Sequence, residues 1–119
     1  MPRFLERAGL DLIAAGRSFG GRVASLAAAQ AHFAGVIAFS YPLRDSAELR
    51  TRHWPEIGCP VLIVNGEEDE VADPGELRRR LPLLRDGRLV LLPGAGHDLA
   101  PVLAQALDEA ARFARRLGP

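Results

Sequence analysis

The chain has 119 residues, a length that accommodates one domain with a modest hydrophobic core. Apolar residues make up 48% of the chain and charged residues 25%, values typical of globular domains and not of disordered proteins. With 15 basic and 15 acidic side chains the net charge is zero, which argues against binding to nucleic acid or to a membrane surface through basic charge.

The single cysteine and the N-terminal segment bear on the cellular compartment. One cysteine cannot form an intramolecular disulfide, and Asp11 interrupts the apolar run that a signal peptide would need. No apolar stretch approaches the roughly 18 residues of a transmembrane helix. We therefore expect a cytoplasmic protein in which Cys59 is a small buried side chain at the start of a strand, the alternative being a thiol nucleophile.

The first half of the sequence predicts two strands and the helices around them. Residues 3–8 indicate the last turns of a helix, and residues 10–16 form an apolar run of strand length. An alanine-rich helix is predicted from Phe19 to about Gln30. Residues 35–41 form a second apolar strand, and the charged residues 44–56 indicate a short helix or a loop.

The second half repeats the alternation of strand and helix. Residues 61–66 predict a third strand, and Pro74 begins a helix that runs to about Leu83. Residues 88–94 predict a fourth strand, and residues 101–117 a final helix. Apolar strands that alternate with helices predict an α/β fold, a three-layer α/β/α sandwich with a parallel sheet of about four strands.

Two of the predicted helices carry apolar residues at helical spacing. In the helix over residues 19–30, Val23 and Leu26 are predicted to share one face. In the final helix the predicted face consists of Val102, Leu103, Ala106, Leu107, Ala110 and Phe113.

Residues 16–20, Gly-Arg-Ser-Phe-Gly, match the pattern G-x-S-x-G between an apolar strand and a helix. A sharp turn of this kind, a nucleophile elbow, lifts the serine hydroxyl above the sheet. The flanking positions must then be small, as Gly16 and Gly20 are, and Gly21 extends the clearance. The alternative is a glycine-rich helix start in which Ser18 is the N-cap.

A serine hydroxyl needs a base to become a nucleophile, and His97 is the candidate. His97 follows the fourth strand, and the carboxyl ends of parallel strands lie at one edge of a sheet, so we expect it near Ser18. The small residues 94–96 leave the loop free to present the imidazole. His32 and His53 follow no strand end, so we interpret them as surface or packing residues.

The histidine in turn needs a carboxylate that fixes its tautomer. Asp69, in the loop after the third strand, is the candidate. Four other acidic residues compete for this role, or else belong to a solvated acidic loop: Glu67, Glu68, Glu70 and Asp73.

Four segments, AAGRSFGGRVAS, FSYPL, CPVLIVNGEEDEVADP and LLPGAGHDL, resemble α/β-hydrolases of the dienelactone-hydrolase-like group. They are most similar to the branch with testis-expressed proteins and a subunit of the chromatin NSL complex, in which an elbow G-R-S-x-G-G-R and a terminal G-x-x-H-D recur. The resemblance covers nearly the whole chain. It implies that Ser18 is the nucleophile, Asp69 the acid and His97 the base, in the chain order of this fold.

The resemblance also implies that the chain departs from the family at its start. Residues 1–119 would form one α/β-hydrolase-like domain, the C-terminal half of the fold, without the first strands. The loop that supplies one oxyanion-hole N–H would be absent, and the N–H of Phe19 would be the other donor. The strand over residues 10–16 would expose an apolar edge, so we expect self-association or pairing with a missing N-terminal half. Met1 is then a late start, the start of a gene fragment, or the start of a chain that needs a partner.

The expected function is hydrolysis of a small ester-type substrate through an acyl-enzyme, without metal or organic cofactor. Arg17 and Arg22 beside the elbow would attract an acidic substrate, or else they are solvated side chains. The alternative function is a non-catalytic scaffold or binding module, because the branch includes a subunit of a chromatin complex.

Overall fold

The computed structural model describes residues 12–44 and 46–117 of the chain, so the helix predicted over residues 3–8 lies outside the described residues. Four strands form one sheet in the order β1-β2-β3-β4, and each neighbouring pair is parallel. The strands are β1 Ile13–Arg17, β2 Gly35–Phe39, β3 Val61–Gly66 and β4 Gly87–Leu92.

Helices connect the strands and follow the last one. The α-helices are α1 Phe19–Gln30, α2 Ala47–Thr51, α3 Pro74–Arg80 and α4 Leu103–Leu117. Short 3-10 segments lie at Trp54–Glu56, Leu81–Leu83 and Ala100–Val102. In the part of the chain that the structure describes, no helix has the length and the apolar composition needed to cross a bilayer.

The hydrophobic core has two parts, one on each face of the sheet. On β2, Val36 faces the part that contains α1 and α3, whereas Ile37 faces the part that contains α4. Ile63 and Leu62 divide β3 in the same way, as the alternation of side chains along a strand requires. The predicted three-layer α/β/α sandwich with four parallel strands is confirmed.

Several predicted boundaries shift by a few residues for local reasons. β2 ends at Phe39 because Ser40 adopts φ 56°, which no strand residue has. β4 ends at Leu92, ahead of a proline that cannot donate to the ladder. The helix that begins at Pro74 becomes a 3-10 segment over Leu81–Leu83, where Pro82 removes another backbone donor.

The predicted apolar faces of the two helices are partly wrong. Leu103 and Leu107 of α4 are each 54% exposed, and Val23 of α1 is 46% exposed. The buried face of α4 includes Ala106 and Phe113, seven residues apart and therefore nearly two full turns. At about 100° per residue, Leu107 is rotated from Ala106 by about 100° and Leu103 by about 60°, and both leucines are exposed.

The turn from β1 into α1 is tight because glycines let two backbones touch. A Cβ on Gly16 would overlap the backbone carbonyl of Gly20, so Gly16 must be glycine. A Cβ on Gly20 would meet nothing within 4 Å, so this position has room for a methyl group and does not require glycine. Gly21 is the second position that needs clearance, since a Cβ there would lie 3.1 Å from the Cβ of Ala38 on β2.

A buried hydrogen-bonded cluster joins α1 to the segment between β2 and β3. Ser25 donates through Oγ to the carbonyl of Arg22 at 2.7 Å, so Nε2 of His53, also 2.7 Å from that Oγ, must be the donor. Trp54 donates through Nε1 to the hydroxyl of Tyr41, which donates to a carbonyl of α2. His53 is therefore a packing residue, as predicted, with a defined tautomer.

We predict that Gly16→Ala lowers the free energy of unfolding by about 1–3 kcal/mol, because the new methyl group has to displace backbone and not a flexible side chain. Gly20→Ala is the matched control. It should leave the stability unchanged or raise it by up to about 1 kcal/mol, since alanine favours the helix. Urea denaturation measures both, and equal stability of the two variants would contradict the clearance argument.

A second prediction concerns pH. Burial, and then the nearby positive charge of Arg22, lower the pKa of His53 below its ordinary value of 6.5. The unfolded chain then binds more protons than the folded chain, so the free energy of unfolding falls as the pH drops through 6.5 toward the folded-state pKa. His53→Gln keeps a side-chain donor and should flatten the pH dependence between pH 8 and 5.5. A difference between variant and wild type that does not change with pH would contradict this.

Candidate active site

Ser18 lies in the one-residue turn between β1 and α1 and has φ 52°, a left-handed conformation that is costly for a serine. Its N–H donates to the carbonyl of Phe39 at 2.7 Å, which fixes the turn against β2. Ser18 stands at the N-cap position of α1, but its side chain makes no capping hydrogen bond. The capping interpretation therefore does not account for the hydroxyl.

The Ser18 hydroxyl instead contacts the imidazole of His97, with Oγ and Nε2 2.8 Å apart. His97 lies in the loop after β4, and its side chain is 29% exposed. The side chain of Ser40 donates to the backbone carbonyl of His97 at 2.8 Å. Two loops thus deliver a serine and a histidine to the same sheet edge in hydrogen-bonding contact.

Asp69 lies on the other side of the imidazole, with Oδ2 2.9 Å from Nδ1 of His97. Its side chain is fully buried, and Oδ1 accepts the backbone N–H groups of Val71 and Ala72 at 2.7 and 2.8 Å. A carboxylate only accepts hydrogen bonds, so Nδ1 of His97 carries the proton. Nε2 of a neutral imidazole is then free to accept the proton of Ser18.

The competing acidic residues do not reach the imidazole. Glu67, Glu68 and Glu70 are exposed, and Asp73 caps α3 by accepting the N–H of Glu76 at 3.0 Å. The structure therefore brings Asp69 and not one of its neighbours to His97.

The other candidate side chains lie away from this contact. Cys59 is buried in the core, as predicted, and burial raises the pKa of its thiol, which disfavours the nucleophilic thiolate. His32 is exposed, and His53 belongs to the cluster around Ser25. Among the described residues, the side chains of Cys59 and His32 make no hydrogen bond to another side chain, and that of His53 contacts Ser25.

A backbone N–H group and two arginines lie close to Ser18 in the chain. Phe19 is the first residue of α1, so its N–H has no partner within the helix. The Phe19 side chain is 66% exposed. Arg17 is exposed, and Arg22 is partly buried with its Nε lacking a hydrogen-bond partner.

Sequence reasoning missed Ser40. It stands inside the FSYPL segment and within the strand predicted over residues 35–41, whereas the structure ends that strand at Phe39. The residue that it contacts is 57 positions away, which no local pattern indicates.

Solved structures with the same fold include an α/β serine hydrolase homologue from Coxiella burnetii, with a TM-score of 0.73 and 23% identity over 98% of this chain and 54% of that one. A predicted CIB-like hydrolase from Thermoplasma acidophilum has a TM-score of 0.78 and 20% identity, over 95% of this chain and 55% of that one. A thermophilic esterase from Thermogutta terrifontis has a TM-score of 0.76 and 17% identity, over 98% of this chain and 70% of that one.

At these identities the likeness establishes the fold and not the activity. The chain spans about half the length of the first two structures. No curated protein sequence matches it significantly. A family model described as "Alpha/beta hydrolase domain" matches residues 3–116, and the chain therefore belongs to the α/β-hydrolase family.

Proposed function

We propose that the protein is a serine hydrolase of ester-type carbonyl compounds, with Ser18 as nucleophile, His97 as general base and Asp69 as the group that orients His97. The observation that carries the proposal is the unbroken hydrogen-bond chain, with Asp69 2.9 Å from His97 and His97 2.8 Å from Ser18. Both distances lie in the range required of a nucleophile and its base.

In the first step the Oγ atom of Ser18 attacks the carbonyl carbon, and its proton passes to Nε2 of His97. The carbonyl oxygen becomes an oxyanion, and the N–H of Phe19, at the start of α1, is the donor that we assign to it. The buried carboxylate of Asp69 stabilises the imidazolium. Collapse of the intermediate breaks the bond to the leaving oxygen, which takes the proton from His97.

In the second step water hydrolyses the acyl-enzyme. His97 accepts a proton from the water as its oxygen attacks the acyl carbon, and it returns that proton to the departing Oγ of Ser18. In each step His97 takes up one proton and releases it again, so the reaction as proposed calls for no metal or organic cofactor.

The finer assignment within the family is part of the proposal. The elbow Gly-Arg-Ser-Phe-Gly-Gly-Arg and the loop Gly-Ala-Gly-His-Asp support similarity to the dienelactone-hydrolase-like group. An ester-type substrate is supported by the esterase from Thermogutta terrifontis, which has the same fold. The alternative is that the protein is a non-catalytic scaffold, in which the three side chains are present but catalyse no reaction.

We predict that a fluorophosphonate probe labels the protein at Ser18, because an activated serine attacks phosphorus as it attacks a carbonyl. Ser18→Ala and His97→Ala should abolish labelling and hydrolysis of p-nitrophenyl acetate. Asp69→Asn should lower the rate by about 10⁴-fold through loss of the correct tautomer.

Glu68→Gln is the matched control, since it neutralises an exposed carboxylate of the same loop. It should leave the labelling rate unchanged. Equal rates of ester hydrolysis for wild type and Ser18→Ala would mean that the serine is inert and would favour the scaffold.

We further propose that the outer edge of β1 mediates association with a second copy of the chain. Among the described residues no strand pairs with this edge, and Leu12 and Ile13 beside it are 38% and 36% exposed. Unpaired N–H and C=O groups next to apolar side chains are a template for pairing with another strand.

We predict that light scattering coupled to size-exclusion chromatography shows a dimer. Ile13→Lys should convert the dimer to a monomer, because a lysine on an edge strand resists pairing with another strand. Leu107→Lys is the control, since it places the same charge at an exposed leucine of α4. A wild-type monomer at high concentration would rule out pairing through β1.

A further inference from the structure

Ser40 directly follows β2 and has two features that this place in the fold does not require. It is fully buried, and it has φ 56°. Glycine or asparagine would adopt this conformation at lower cost. A strained residue persists where its surroundings hold it, and such residues cluster at functional sites.

The contacts of Ser40 connect three strand ends. Its N–H donates to the carbonyl of Val64 on β3 at 2.8 Å, which holds the residue against the centre of the sheet. Its Oγ donates to the carbonyl of His97 at 2.8 Å, in the loop after β4. The preceding residue, Phe39, accepts the N–H of Ser18 at 2.7 Å. Two consecutive residues at the end of β2 therefore hold the backbones of both Ser18 and His97.

The loop that carries His97 needs such an anchor. It contains Gly94 and Gly96, whose backbones are conformationally free, and Gly94 has φ 86°. The N–H of Glu68 donates to the carbonyl of Ala95 at 3.0 Å, which holds the loop two residues before His97 but not at His97 itself. Asp69 and Ser18 contact the ring at Nδ1 and Nε2, but neither contact holds the main chain of His97. The bond from Ser40 fixes the main chain of His97 itself.

We propose that Ser40 is a positioning residue for His97. Its hydroxyl donates to the carbonyl of His97, and the carbonyl of the preceding residue, Phe39, accepts the N–H of Ser18. The distance between Oγ of Ser18 and Nε2 of His97 is therefore set by two consecutive residues at the end of β2. The inference rests on the proposed function for its catalytic consequence. A misplacement of about 1 Å at this distance costs on the order of 10²-fold in rate.

The test compares Ser40→Ala and Ser40→Gly with wild type. Alanine removes the hydroxyl and keeps the strain, whereas glycine removes both, so glycine is the variant expected to fold readily. Both should lower the rate constant for fluorophosphonate labelling of Ser18 by about 10–100-fold and lower kcat for p-nitrophenyl acetate with KM unchanged. Ser25→Ala is the matched control, because Ser25 is an equally buried serine that donates to a backbone carbonyl outside the site. It should label at the wild-type rate.

A second readout does not depend on activity. The ¹⁵N spectrum of the His97 imidazole should show one fixed tautomer, protonated at Nδ1, in wild type and Ser25→Ala, and exchange between tautomers in the Ser40 variants. Unchanged labelling and a fixed tautomer in Ser40→Gly would overturn the inference and leave the proposed function standing. An unlabelled wild type would overturn the proposed function, and the tautomers would then decide the role of Ser40 alone. If both Ser40 variants unfold, Ser40 is a core residue and the positioning role is wrong.

Discussion

Parallel strand direction is the constraint on which the site depends. Ser18 follows β1, Asp69 follows β3 and His97 follows β4, and they meet because the carboxyl ends of these strands lie at one edge. Ser18 and His97 are separated by 79 positions in the chain, and His97 and Asp69 by 28. An antiparallel strand would carry its following loop to the opposite edge. The site therefore requires the α-helical crossovers, since two neighbouring strands can be parallel only if a crossover connects them.

The sheet holds the loops by continuing its hydrogen-bond ladder past the strand ends. The first residue after β1, Ser18, donates to the carbonyl of Phe39, and Ser40, the first after β2, donates to that of Val64. Glu67, the first after β3, donates to that of Leu92. Each such bond contributes about 0.5–1.5 kcal/mol. A left-handed residue costs about 1–3 kcal/mol, so the ladder bonds at Ser18 and Ser40 offset part of the strain of these two turns.

The sequence predicted most of the fold because its signals are local. The span of α1 was predicted from its first to its last residue, Phe19–Gln30, by a run of helix formers after a glycine turn. The exposure of Leu103 was not predictable from apolar spacing alone, because which side of a helix faces the sheet is decided by packing. The choice of Asp69 rested on resemblance, since five acidic residues follow β3 closely. What distinguishes Asp69 is a tertiary contact, the hydrogen bond to Nδ1 of His97, which lies 28 positions away in the chain.

The proposed hydrolysis has two separable parts, the attack by Ser18 and the stabilisation of the oxyanion. The proposed nucleophile, its proposed base and the carboxylate proposed to orient that base are held by bonds within this chain, from the Asp69–His97 contact to the bonds made by Phe39 and Ser40. Attack on a reactive electrophile needs only these groups. Turnover of an ordinary ester also needs preorganised donors for the oxyanion, each worth about 10²–10³ in rate, and a surface that orients the substrate. The donor proposed here, the N–H of Phe19, belongs to a residue that is 66% exposed. Covalent labelling of Ser18 and turnover of an ester are therefore separable properties of this fold, because the first depends on side-chain geometry within the sheet edge and the second on what covers that edge.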